Sequence, residues 1–129
     1  MNAYRRERLI EISRSLQHCR EGRSLHCAFI LNKNKLLCYA VNSYKNENLH
    51  YRFGKYLGKY NDGEYISGRH AEAEALRYYI SKFGNNDMRG LTIFITRISK
   101  NGDVMYSKPC HNCMRNIIEP NDFKEVLWT

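Results

Sequence analysis

Two clusters of side chains with metal-binding chemistry, far apart along the chain, constrain its fold more than any other feature. The first is His70-Ala71-Glu72, and the second is Pro109-Cys110-His111-Asn112-Cys113. One imidazole and two thiols are ligands that zinc prefers, and three protein ligands leave the fourth tetrahedral position for water. The carboxylate of Glu72 would then be a proton carrier beside that water. The sequence therefore predicts one zinc ion per chain, two chain segments that must meet around it, and a hydrolytic enzyme.

Each cluster is predicted to lie where a helix begins. Residues 71–76 are strong helix formers, so His70 and Glu72 would lie in or just before a first helical turn. Pro109 is favoured at the first helical position, where no backbone donor is lost. The partial positive charge of two helix N-termini favours thiolate over thiol, which suits a metal site.

Together and in this order, the clusters match H-x-E…P-C-x-x-C, which is the signature of zinc deaminases. At these residues the chain resembles the cytidine deaminase-like superfamily, in the branch whose first ligand is histidine. That branch includes deoxycytidylate deaminases, tRNA adenosine deaminases and APOBEC-type polynucleotide cytidine deaminases. Residues 68–72 and Ser107 are similar to the APOBEC-type pattern, but Lys108 interrupts its usual Ser-Pro-Cys run and no Trp precedes it.

This resemblance implies a mechanism and a set of site residues. Zinc would be bound by His70, Cys110 and Cys113, with Glu72 as the catalytic general acid and base. The reaction implied is attack of zinc-bound hydroxide on C4 of cytosine, or on C6 of adenine, with release of ammonia.

The resemblance also implies which residues contact the substrate. In many members an Asn near the end of the second strand contacts the sugar, which corresponds to Asn42, and the backbone of Ala71 would contact the base. The segment Tyr44–Tyr65 interleaves aromatic and basic residues, a composition that suits a single nucleic-acid strand. The alternative is an active-site lid whose aromatic rings pack on the core.

The remaining pattern predicts an α/β protein formed by one domain, residues 1–129. Its first predicted elements are an amphipathic helix, whose apolar face carries Leu9, Ile12, Leu16 and Cys19, and a hairpin of His26–Leu31 and Leu36–Val41. The helix after His70 is followed by a buried strand, Leu91–Ile95, and by a turn at Asn101-Gly102. The last predicted elements are a helix with Met114, Ile117 and Ile118 and a strand, Glu125–Trp128. With the resemblance, this order predicts a three-layer α/β/α sandwich of the cytidine deaminase-like fold with a mixed central sheet. Members of the superfamily usually continue past this last strand, so at Thr129 we expect a minimal or shortened C-terminal part, or an edge completed by a partner subunit in a homo-oligomer.

The composition of the chain indicates which binding partners and which cellular compartment to expect. The net charge of +8 favours a phosphorylated or polyanionic partner. Cys19, Cys27 and Cys38 fall in apolar patterns, which indicates reduced thiols in the cytoplasm, with the nucleus as an alternative. No secretory signal or membrane-spanning run is evident, so no membrane partner is expected.

Three functions stay open at this point. The first is deamination of cytosine in a nucleoside or nucleotide such as CMP or dCMP, and the second is deamination of single-stranded DNA or RNA. The third is a zinc-stabilised nucleic-acid-binding module without turnover. A purely structural zinc site would need a fourth ligand, for which the candidates are His18, His26, Cys27, Cys38 and His111.

Overall fold

A computed structural model of the protein describes residues 1–17, 24–42 and 70–129. The elements in chain order are α1 Ala3–Gln17, β1 Leu25–Asn32, β2 Lys35–Val41, α2 Ala71–Phe83, β3 Thr92–Ile98, β4 Val104–Met105, α3 His111–Cys113 and β5 Glu125–Trp128. Between α3 and β5 the chain forms a π-helical turn, Met114–Ile118, and a 3-10 turn, Glu119–Asn121. Three sequence predictions, those for His18, Cys19 and Tyr44–Tyr65, lie outside the described residues.

The strands form a mixed, open, five-stranded sheet around β3. One edge of β3 pairs antiparallel with β1, and β1 pairs antiparallel with β2, so the predicted hairpin is confirmed. The other edge of β3 is shared by two strands. β4 pairs antiparallel with Arg97 and Ile98, and β5 pairs parallel with residues 92–95. The predicted α/β class and mixed sheet are therefore confirmed.

Helices pack against both faces of this sheet. Successive side chains of a strand point to opposite faces, so β1 and β3 contribute to two separate buried clusters. Phe29 and Phe94 belong to the cluster that α1 covers, whereas Ile30 and Ile93 belong to the cluster that α2 covers. All five residues of the predicted strand Leu91–Ile95 are buried, because both faces of the sheet are covered here.

The buried face of α1 differs from the predicted one. Its buried residues are Leu9, Ile10, Ser13 and Gln17. Ile12 and Leu16, which were expected to face the core, are only partly buried at its margin. The reason is hydrogen bonding, since Ser13 Oγ lies 2.7 Å from Thr96 Oγ1 and Gln17 Nε2 donates to two backbone carbonyls at the end of β3. Two polar side chains are therefore drawn into the interface with the sheet.

One strand was not predicted. β4 has only two residues, Val104 and Met105, and both are exposed. It follows the predicted turn at Asn101-Gly102, where Gly102 has a φ of 89° and donates its N–H to the Ser99 carbonyl at 2.9 Å. Residues 106–108 then connect β4 to the second metal-binding cluster, which starts at Pro109. Within the described ranges, no helix combines the length and the apolar character that a bilayer crossing requires.

Candidate metal centre

The order of the elements brings the N-termini of α2 and α3 to the same end of the sheet. α2 is followed by β3, and the helical turns that begin with α3 are followed by β5. These two strands are parallel neighbours, with Ile93 beside Val126. Ser107, three residues before Cys110, is hydrogen-bonded to Ile95 of β3 and to Thr129 just after β5. His70 Nδ1, at the start of α2, lies 3.3 Å from Cys113 Sγ, so both helices begin near the carboxyl ends of β3 and β5. Open α/β sheets generally place their ligand sites at this end.

His70 lies directly before α2, as predicted. It is the N-cap residue, with an extended backbone (φ −74°, ψ 146°), and its side chain makes no capping hydrogen bond to the helix. Its Nδ1 lies 3.3 Å from Cys113 Sγ and 3.6 Å from Cys110 Sγ. The imidazole is therefore aimed at the two sulfurs.

The two cysteines occupy the first turn of α3. Cys110 is the N-cap residue, and its Sγ accepts a hydrogen bond from the Cys113 backbone N–H at 3.4 Å. Pro109 thus lies one position before the cap and not at the first helical position, because the cap role belongs to the Cys110 sulfur. Cys110 is exposed and Cys113 is fully buried, so the pair spans from the surface into the core.

The three side chains fit a tetrahedral metal ion. Their ligand atoms, His70 Nδ1 and the sulfurs of Cys110 and Cys113, all lie within 4.8 Å of one another. A tetrahedral zinc with Zn–N of about 2.0–2.1 Å and Zn–S of about 2.3 Å would separate the nitrogen from each sulfur by about 3.5 Å. The observed separations of 3.3 and 3.6 Å agree with that value. These residues could therefore hold a metal ion in the position that the spacing predicted.

The group contains three residues and not four. Among the described parts of the chain, no other His, Cys, Asp or Glu belongs to it, which removes His26, Cys27, Cys38 and His111 as candidates for a fourth ligand. His18 lies outside the described residues. With three ligands of this type, one tetrahedral position remains for a small molecule.

Glu72 is buried beside this group. The first six residues of α2, 71–76, are all buried, so this end of the helix is surrounded by protein on every side. Burial raises the pKa of the Glu72 carboxyl above its ordinary value, and a hydrogen bond with the Cys113 side chain and the charge of His70 partly oppose that rise. A carboxylate whose pKa is raised takes up a proton more readily than one in water, as a general base must.

The two thiols differ in proton affinity. Hydrogen bonds from the side chains of Cys113 and His70 lower the pKa of Cys110 to about 3. Burial raises the pKa of Cys113 well above its ordinary value. Hydrogen bonding therefore favours the thiolate form of Cys110, whereas burial favours the protonated form of Cys113. A bound cation would draw the remaining proton from Cys113, since metals bind the thiolate form.

The two predicted substrate-binding residues occupy structured positions. Asn42 is buried at the end of β2, where its Oδ1 accepts from the His26 N–H at 3.0 Å and its own N–H donates to the His26 carbonyl. Ala71 is buried at the first position of α2, between His70 and Glu72. Contacts of either residue with a sugar or a base stay predictions.

Sequence reasoning missed two features near the site. The helix expected over Met114, Ile117 and Ile118 is a π-helical turn that begins directly after Cys113, and such turns are frequent at functional sites. Ser107, which was noted only for its resemblance to a motif, is buried and hydrogen-bonded to Ile95 of β3 and to Thr129, the residue after β5. No local signal identifies the burial of Ser107, since it depends on hydrogen bonds to residues that are distant along the chain.

Neither a scan against protein-family models nor a search of curated proteins finds a match to this chain.

Proposed function

We propose that the protein is a zinc-dependent deaminase that converts cytosine to uracil in a nucleoside or nucleotide such as CMP or dCMP. The observation that carries the proposal is the three-residue group of His70, Cys110 and Cys113, together with the buried Glu72 beside Cys113. Three ligands and a nearby carboxyl that is not among them suit the activation of water, whereas a structural site would close the fourth position with a further side chain.

Each residue has a role in the proposed reaction. A zinc ion in this group would supply a Lewis acid that lowers the pKa of water to about 7. The Glu72 carboxylate takes a proton from the attacking water and passes it to the substrate base, so that water and cytosine give uracil and ammonia. Burial suits Glu72 to this exchange, because a raised pKa lets the carboxyl hold the proton between the two transfers.

The proposal includes the fold of the deaminase-like superfamily. Its support is the arrangement of α1 and α2 on opposite faces of a mixed sheet, which is the α/β/α layering expected of that fold. The parallel pairing of β3 with β5 also supports it, because it brings both metal-binding helices to one end of the sheet.

A phosphorylated substrate is favoured over a free nucleoside by the residue before Pro109. Lys108 is exposed, it lies two residues before Cys110, and its Nζ is 5.7 Å from the centre of the Trp128 ring. This distance is within the range of a cation–π contact. An exposed cation that the Trp128 ring holds beside the segment with the metal-binding cysteines suits the phosphate of a nucleotide.

A polynucleotide substrate is the second candidate. The net charge of +8 favours it, because phosphate neutralisation by Lys and Arg dominates affinity for single strands. The third candidate, a binding module without turnover, gives no reason for a buried carboxyl beside the metal-binding group.

A substrate panel distinguishes these candidates. The zinc-loaded protein is incubated with cytidine, CMP, dCMP and cytosine-containing single strands, and uracil formation is followed. We expect the highest kcat/KM with CMP or dCMP and a lower value with cytidine, since cytidine lacks the phosphate that Lys108 would contact. Product from oligonucleotides alone, with binding that weakens steeply as salt rises, would select the second candidate. No product from any of them would contradict the proposed activity.

A further inference from the structure

The hydroxyl of Ser107 ties the start of the metal-binding segment to the sheet. Ser107 is 4% exposed. Its Oγ donates to the Ile95 carbonyl at 2.7 Å and accepts from the Thr129 N–H at 3.0 Å. Its own N–H donates to the Thr129 carbonyl at 2.9 Å. Three hydrogen bonds therefore hold one residue that lies three positions before Cys110.

Thr129 completes this connection from the other side. Its Oγ1 lies 2.8 Å from Ser107 Oγ and donates to the Met105 carbonyl at 2.6 Å. Its N–H also lies 3.1 Å from the Ile95 carbonyl, which extends the pairing of β5 with β3 by one residue. Two hydroxyl groups thus link the ends of β4 and β5 to the same point of β3.

This link lies where the sheet offers no regular pairing. β4 pairs with residues 97 and 98 of β3, and β5 pairs with residues 92–95 on the same edge. The chain leaves β4 after Met105 and must cross from this edge to the N-terminus of α3. At the crossing, the hydroxyl groups of Ser107 and Thr129 add side-chain hydrogen bonds to the backbone bond between these two residues, and together they fix where the next residues begin.

We propose that Ser107 and Thr129 are positioning residues for the metal centre, which hold residues 108–110 so that Cys110 and Cys113 face His70 before the ion binds. The inference rests on the proposed metal centre. Without the Ser107 hydroxyl, the segment would sample arrangements in which the sulfurs do not converge. The ion would then bind only the molecules that hold the competent arrangement. The apparent affinity for the ion is the intrinsic affinity multiplied by the fraction of such molecules.

The experiment measures zinc affinity by competition with a chromogenic chelator and compares variants of the full chain. We expect Ser107→Ala to weaken zinc binding about tenfold, the lower end of what loss of a supporting hydrogen bond around a metal site causes. Thr129→Val should weaken it as well, whereas Thr129→Ser, which keeps the hydroxyl, should bind nearly as the wild type does. Ser99→Ala is the matched control, because Ser99 Oγ also accepts backbone N–H groups, but in the turn at the opposite end of β4.

Melting with and without zinc distinguishes positioning from simple stabilisation. A positioning role predicts that the increase in melting temperature on adding zinc becomes smaller in Ser107→Ala and Thr129→Val, since stabilisation by a ligand follows its affinity. Unchanged zinc affinity in both variants, with equal losses of melting temperature in the two forms, would overturn the inference and leave the proposed function untouched. A wild-type protein that binds no zinc would instead contradict the proposed metal centre.

Discussion

Glu72→Gln is expected to lower kcat for cytosine deamination by about 10²- to 10⁴-fold, the usual contribution of a general acid–base group. The amide keeps the size of the side chain but cannot take a proton from water. Because the Glu72 carboxyl is buried and its pKa is already raised, removal of the charge should leave the fold intact or stabilise it. Uracil formation and zinc content are measured on the same preparation, so that loss of chemistry is separated from loss of metal.

The neighbouring Glu74 provides the control for this prediction. Glu74 lies on the same helix, and both Glu72 and Glu74 have 5% of their surface exposed. The Glu74 Oε2 atom forms an ion pair with Arg77 Nη2 at 3.1 Å. Glu74→Gln should retain most of the activity, since its carboxyl is engaged away from the three-residue metal group. Equal uracil formation by Glu72→Gln and the wild type would mean that Glu72 is not the proton carrier, and the binding-module hypothesis would then gain weight.

Cys113→Ser is expected to abolish stoichiometric zinc binding and to destabilise the zinc-loaded protein by several kcal/mol. Cys113 is fully buried, and its sulfur is the ligand atom closest to His70 Nδ1. An alcohol is a poor zinc ligand, so the variant should behave as the wild type does in the presence of a chelator. The measurement is thermal unfolding of both proteins with added zinc and with EDTA, together with zinc content after dialysis.

Cys38→Ser is the matched control for that experiment. Cys38 is partly buried in β2, and its Sγ contacts the Ala75 carbonyl at 3.6 Å, outside the metal-binding group. This variant should bind zinc with the wild-type stoichiometry and lose melting temperature to the same extent with and without EDTA. A Cys113→Ser protein that retains one zinc per chain and melts normally would show that Cys113 is not a ligand.

Much of this site was predictable, because ligand chemistry requires that distant residues meet. One imidazole and two thiols at these spacings predict a shared ion, and the apolar runs predict that a strand follows each of the two helices. The parallel pairing of β3 with β5 is known only from the structure. The N-cap position of His70 also follows from local sequence, since the helix formers begin at Ala71. These inferences rely on local composition and on one chemical constraint.

The features that sequence reasoning missed depend on polar contacts across long separations. Ser13 is buried in α1 because its hydroxyl meets Thr96, and Ser107 is buried because its hydroxyl meets Ile95 and Thr129. Apolar periodicity counts a serine as a surface residue, and it carries no information about a partner elsewhere in the fold. A hydroxyl that satisfies a backbone carbonyl at the edge of a sheet is therefore visible only in three dimensions.

The composition of the first coordination shell tests the central claim most directly. X-ray absorption at the zinc edge of the loaded protein counts sulfur and lighter ligands and identifies imidazole by its outer-shell scattering. The account predicts one zinc per chain, with two sulfurs at about 2.3 Å and two nitrogen or oxygen atoms at about 2.0–2.1 Å, and scattering from a single imidazole. A third sulfur or a second imidazole would mean a closed structural site, and that result would contradict the proposed enzyme.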